Sequence, residues 1–172
     1  MKPDLFVASL ATTMAVATPA LAAGSPQDFV NKAAAVDMFE MGLSRVAEGK
    51  GLTACVKDFA KSMISDHGSA NAKLTTIAKA QKLTIPNELD AKHKTDIETL
   101  RNGKELVDET YVHMQRDAHA EAVELYENYI NDGDNAELKA FAKRTLPTLK
   151  MHRETIEKIA GATNRKERSS RK

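Results

Sequence analysis

Four residues with metal-ligand chemistry stand where apolar side chains belong. Read as helix, the chain places Glu40, His67, His119 and His152 each inside the apolar stripe of a different long segment. Val56, Ala60, Met63, His67, Ala70, Leu74 and Ile77 alternate spacings of four and three, as do Phe29, Ala33, Val36, Glu40, Leu43 and Ala47. The same rhythm runs through Val112, Gln115, His119, Ala122, Tyr126 and Tyr129, and through Leu138, Ala142, Thr145, Leu149, His152, Ile156 and Ile159.

An imidazole or carboxylate in such a stripe costs free energy unless it is hydrogen-bonded, ion-paired or metal-bound. Two chemistries meet that condition. In the first, Glu40, His67, His119 and His152 hold a transition-metal ion, with Asp37, Asp66 and Gln115 as secondary ligands or supports and Asn71 and Tyr126 nearby. Three neutral imidazoles and a carboxylate suit Fe, Zn, Mn or Cu. An incompletely filled ion would bring metal-dependent redox or peroxide chemistry; otherwise the chain reads as a non-enzyme. In the second, the same residues form a structural His/Glu network, pH-responsive because histidine titrates near pH 6.5, in a non-catalytic envelope stress or interaction protein. Counted from the loops at about 1.5 Å per residue, the four positions spread over roughly 10 Å. One centre, or two smaller groups pairing Glu40 with His152 and His67 with His119, both remain open.

The elements that must position these residues are all helical. There are 8 Gly, 5 Pro and no Trp in 172 residues, with abundant Ala, Lys and Glu, so the fold class is all-α. Ser25-Pro26-Gln27-Asp28 starts the first helix, which Gly49-Lys50-Gly51 stops. Thr53 caps the second, expected to reach about Lys82 before Ile85-Pro86. A connection of some twenty residues follows, far longer than the roughly 2 to 8 that antiparallel neighbours need. Leu89, His93, Ile97 and Leu100 share a face within it. It predicts a partly helical crossover running along a four-helix bundle. The third long helix is expected over about 104–131, the turn Asn131-Asp132-Gly133-Asp134-Asn135 follows, and Asp134 caps a fourth helix reaching Ala160. Pro147 should bend or open that last helix just before His152.

The ends read differently. Residues 1–22 combine Lys2, an apolar and small-residue run and Ala20-Leu21-Ala22, a secretory signal that places the mature chain in the periplasm or outside the cell. The bundle domain occupies 25–160. The segment 161–172 is Arg/Lys/Ser-rich, five basic residues and one acid falling in its last nine positions, and predicts a disordered tail able to touch anionic surfaces weakly. The remaining body is acidic, so no nucleic-acid partner is expected, and the mature chain offers no membrane span. The single cysteine, Cys55, excludes an intramolecular disulfide and reads as a small hydrophobe beside the apolar stripe. Phosphate loops, nucleophile elbows, cysteine pairs and HExxH are absent.

Phe29 with Ala33-Ala34 and Glu40, then Phe59-Ala60-x-x-Met63-Ile64-x-Asp66-His67, His119 before Leu125-Tyr126, Gly133-Asp134-Asn135 and Leu146-Pro147-x-Leu149-x-x-His152 together resemble an exported bacterial family, domain-of-unknown-function 4142. The resemblance implies a ferritin-like bundle with a long crossover and supplies no reaction. Ferritin-like di-iron sites use Glu-x-x-His on two helices. Here Leu43 follows Glu40 by three and Leu149 precedes His152 by three, so a di-iron oxidase or iron-storage role is not expected.

Overall fold

The structure, a computed structural model, describes residues 24–50, 53–103 and 107–170, with side chains through 162. The expected signal at 1–22 and the expected helix start at Lys104 lie outside the described residues. Among those described there are five helices and no strand: α1 (Pro26–Lys50), α2 (Ala54–Ala80), α3 (Ala91–Asn102), α4 (Val107–Asp132) and α5 (Ala136–Ser170). None is long and apolar enough to cross a membrane.

Local chemistry sets the helix ends, in some places differently from the sequence reading. Ser25 caps α1 as expected, its Oγ accepting the Asp28 N–H at 3.1 Å. Thr53 stands at the α2 cap without capping it. Its backbone N–H and its hydroxyl both donate to Asp108 Oδ2, at 3.0 and 2.7 Å, so the residue ties the start of α2 to the start of α4. α2 stops before the Ile85-Pro86 break, at a paired turn: the Leu83 N–H reaches the Ala78 carbonyl at 2.8 Å and the Lys82 N–H reaches that of Lys79 at 3.2 Å. Lys82 holds the left-handed position, φ 57°, where glycine is usual. Asn135, not Asp134, caps α5, its Oδ1 accepting the N–H groups of Glu137 and Leu138. Asn135 is the residue next to the first helical turn, so its side chain is the one in range.

Two further expectations are corrected. α5 passes Gly161 and continues to Ser170; one glycine costs only about 1 kcal/mol, and Ala162 and Arg165-Lys166-Glu167-Arg168 beyond it are strong helix formers. Cys55 is exposed. It adjoins Val56 in sequence, but a 100° step carries it off the buried stripe.

Contacts between helix ends give the chain direction. The Thr53–Asp108 bonds place the starts of α2 and α4 at one end. At the other, Gln27 exchanges two hydrogen bonds with the backbone of Thr84, and Gln81 meets Asn135 and Glu137. Therefore α1 and α5 run one way, and α2 and α4 the other. Each of these four packs on two neighbours, α1 on α2 and α4, α5 on α4 and α2, closing a bundle. The segment between α2 and α4 returns over the whole bundle height, and its helix α3 lies mainly on α1. Gly42 makes room for it: a Cβ there would stand 2.5 Å from Ile97 Cδ1. His93 of α3 lies over Phe39, ring centroids 4.3 Å apart.

The buried apolar residues form two clusters. One gathers Leu43, Val56, Phe59, Met63, Leu100, Tyr111 and Ile156 toward the Thr53 end. The other gathers Phe29, Ala33, Leu74, Tyr126, Phe141 and Leu149 toward the Gly133 end. Between them lies a buried polar layer of Asp37, Glu40, His67, Gln115, His119 and His152.

Candidate metal centre

Helical spacing turns each stripe inward, so the long helices bring their polar members to the bundle interior. His67 follows Ala54 by thirteen residues and His119 follows Val107 by twelve. Because α2 and α4 start at the same end, these two stand at one level. His152 joins them. The ring centroids of His67 and His119 are 5.7 Å apart, those of His67 and His152 5.5 Å, and those of His119 and His152 5.6 Å. One ring nitrogen from each lies within 4.8 Å of one from each of the others. The three histidines form one group, and the 10 Å spread estimated from loop counts does not occur. Those counts compared helices across turns, whereas the crossover makes α2 and α4 parallel.

Each histidine commits one nitrogen to an acceptor. His67 Nδ1–H donates to Asp37 Oδ1 at 2.8 Å, His119 Nδ1–H to the Gln115 carbonyl at 2.9 Å, and His152 Nε2–H to Asp66 Oδ2 at 3.0 Å. The partners are acceptors, which fixes the proton of neutral His119 on Nδ1 and that of neutral His152 on Nε2. The other nitrogens, His67 Nε2, His119 Nε2 and His152 Nδ1, are buried without a hydrogen bond. Phe59 walls the group, packing against His119 and His152.

Glu40 flanks this group. Its Oε2 lies 2.9 Å from His67 Nε2 and its Oε1 3.2 Å from His119 Nδ1, yet neither oxygen has a hydrogen bond of good alignment. The attraction is one of charge. Burial opposes ionisation of Glu40, but His67 and His119 outweigh it and hold the carboxyl below its usual range. His67 is pushed up to about 10: burial works against the cation, and Glu40 with Asp37 overcomes it. Asp37 is raised to about 6, mainly by burial and only partly offset by its bond to His67. Burial holds His119 and His152 below the ordinary histidine value, helped by the positive His67. At neutral pH the layer is thus an imidazolium between two carboxylates, beside two neutral imidazoles.

The secondary positions separate. Asp37 and Asp66 orient His67 and His152. Gln115 donates through Nε2 to the Glu40 carbonyl and to Ser44 Oγ, both at 3.2 Å. Asn71 Oδ1 and the Tyr126 hydroxyl are buried without partners. Burial raises Tyr126 well above its usual range, with Asp37 and Glu40 adding to the effect. Sequence spacing missed Ser44, whose hydroxyl pairs with that of Tyr111 at 2.8 Å. Its position four residues after Glu40, on the same face, is the signal that pointed to it.

Residues 11–159 match the model of a family described as a domain of unknown function, DUF4142. The chain belongs to the DUF4142 family. Among curated proteins none matches it. Among solved structures, the crystal structure of a DUF305 fragment from Deinococcus radiodurans superposes with a TM-score of 0.71 at 12% identity, covering 84% of this chain and 99% of that one. At that identity the likeness is one of fold. In this DUF4142 domain the adjacent Asp66 and His67 take different places: His67 joins the layer directly, and Asp66 reaches from α2 to His152 on α5.

Proposed function

We propose that this DUF4142 domain is a ferritin-like four-helix bundle that holds one transition-metal ion at mid-height. His67 Nε2, His119 Nε2 and His152 Nδ1 are the nitrogen donors, and Glu40 is the carboxylate. The observation that carries this reading is the division of labour on each ring. Every histidine spends one nitrogen on an acceptor and leaves the other buried without a hydrogen bond, the arrangement that orients imidazoles toward a metal. The two helix directions and single long crossover support the ferritin-like topology.

The nitrogen-rich donor set favours Zn, Cu or Fe over Mn. The ion would displace the Nε2 proton of the His67 imidazolium, so loading releases about one proton. With four protein donors the site suits holding an ion better than turning over a substrate; a redox-active ion left with an open position would supply one-electron or peroxide chemistry. Export to the periplasm, read from residues 1–22, and weak anionic-surface contact through the basic C-terminus belong to the same proposal.

The second reading rests on one observation: His67 is ion-paired on both sides, by Asp37 and by Glu40, with no metal at all. Elemental analysis of untagged protein separates the two. One ion per chain, lost on His67→Ala, His119→Ala or His152→Ala, supports the metal centre. A protein that stays metal-free after exposure to Zn2+, Cu2+ and Fe2+ supports the structural network.

A further inference from the structure

The histidine layer is closed on almost every side. Glu40, His67, His119 and His152 are 0–2% exposed. Asp66 is the exception among the residues bonded to it, with 41% of its side chain exposed while Oδ2 holds His152 Nε2. Asp66 also lines a groove of about 430 Å3 between α2 and α5, together with Ser69, Lys73, Arg144, Thr145 and Thr148. Two other grooves, one near Gly24 and Tyr129 and one near Glu127 and Arg153, are lined by no member of the layer.

We infer that the α2–α5 groove is the port through which the metal ion reaches the layer, with Asp66 as the carboxylate that first captures it. This rests on the metal-centre reading above. A carboxylate suits first capture, being charged, solvent-facing and a ready oxygen donor. When the Asp66–His152 bond opens, Asp66 is free to hold the partly hydrated cation, and the imidazole is free to turn and pass it to the three inner nitrogens. Lys73 and Arg144 stand on the same rim, and neither takes part in an ion pair of the described residues. They oppose the approach of a cation. The rim therefore carries charges of both signs whose effects on loading rate must be opposite.

The test is the rate of Co2+ uptake by the metal-free full chain, followed by visible absorbance at low and at moderate salt. Asp66→Asn removes the charge but keeps an acceptor for His152 Nε2–H. It should slow loading about tenfold at low salt. Asp66→Glu should load near the wild-type rate. Lys73→Gln and Arg144→Gln should each load several-fold faster, and salt should shrink all these differences. An Asp66 that merely braces the fold would alter occupancy or stability and give no such opposition of sign. Equal loading rates in wild type and Asp66→Asn overturn the port while leaving the metal centre standing. Absence of any Co2+ uptake by the wild type overturns the metal centre and the port with it.

Discussion

His67 is the residue on which the charge state of the layer turns. Its folded value near 10 lies above the ordinary 6.5, so the stability it contributes is complete below pH 6.5 and is lost as the pH rises through 10. His119 and His152 have the opposite sign: held below 6.5, they contribute stability above that pH and lose it as the pH falls through their folded values. Glu40, held below 4.5, adds a further loss at lower pH. Asp37, raised from 3.8 to about 6, favours folding most when protonated and offsets part of the acid loss. The chelator-treated protein is accordingly expected to be most stable at about pH 6.5 to 7, declining on both sides. A melting temperature that stays level from pH 6.5 to pH 5 would contradict the neutral state of His119 and His152. At the same scale, Glu40→Gln leaves the His67 cation paired with Asp37 alone. The folded value of His67 should fall from about 10 toward the ordinary 6.5, read by NMR titration of the metal-free protein, and an unchanged value would contradict the role given to Glu40.

At the scale of the elements, the four buried stripes were legible because side-chain direction in a helix follows from residue count alone. Glu40, His67, His119 and His152 are buried where that count put them. Their relative heights were not legible, since height depends on which helix ends are neighbours, and that is settled by contacts such as Thr53 with Asp108. Asp66 sat at the edge of a stripe, where a few degrees decide between interior and solvent. Only the neighbouring helix α5 determines that it reaches His152. The stop of α2 was masked for a related reason: Lys82 occupies a position for which glycine is the usual signal. Lys82→Gly should relieve that backbone and raise stability by about 0.5–1 kcal/mol, read from the urea midpoint. Gly42 marks the opposite case, a glycine required by its neighbour. Gly42→Leu drives a side chain into Ile97 and should cost about 2 kcal/mol, with faster amide exchange confined to α3 and the facing part of α1. Uniformly faster exchange would show that α3 is not a separable docking element.

For the molecule as a whole, any ion bound only by the folded state stabilises it by mass action. At a free concentration a thousand times Kd the gain is about 4 kcal/mol. The same titration on His152→Ala should give little or no shift, and an equal shift would place the ion elsewhere.

The polar layer has one more consequence, and it concerns cooperativity. Two apolar clusters on either side of a charged waist are two small cores sharing four helices. Without an ion, each can open while the other persists, so hydrogen exchange in the two ends should report different opening energies. An ion gripping helices from both hairpins at the waist links those openings, because neither end can fray past it without breaking the same set of bonds. Loading should then narrow the unfolding transition and bring the two ends to one common energy, a change in how the molecule comes apart as well as in how firmly it holds together.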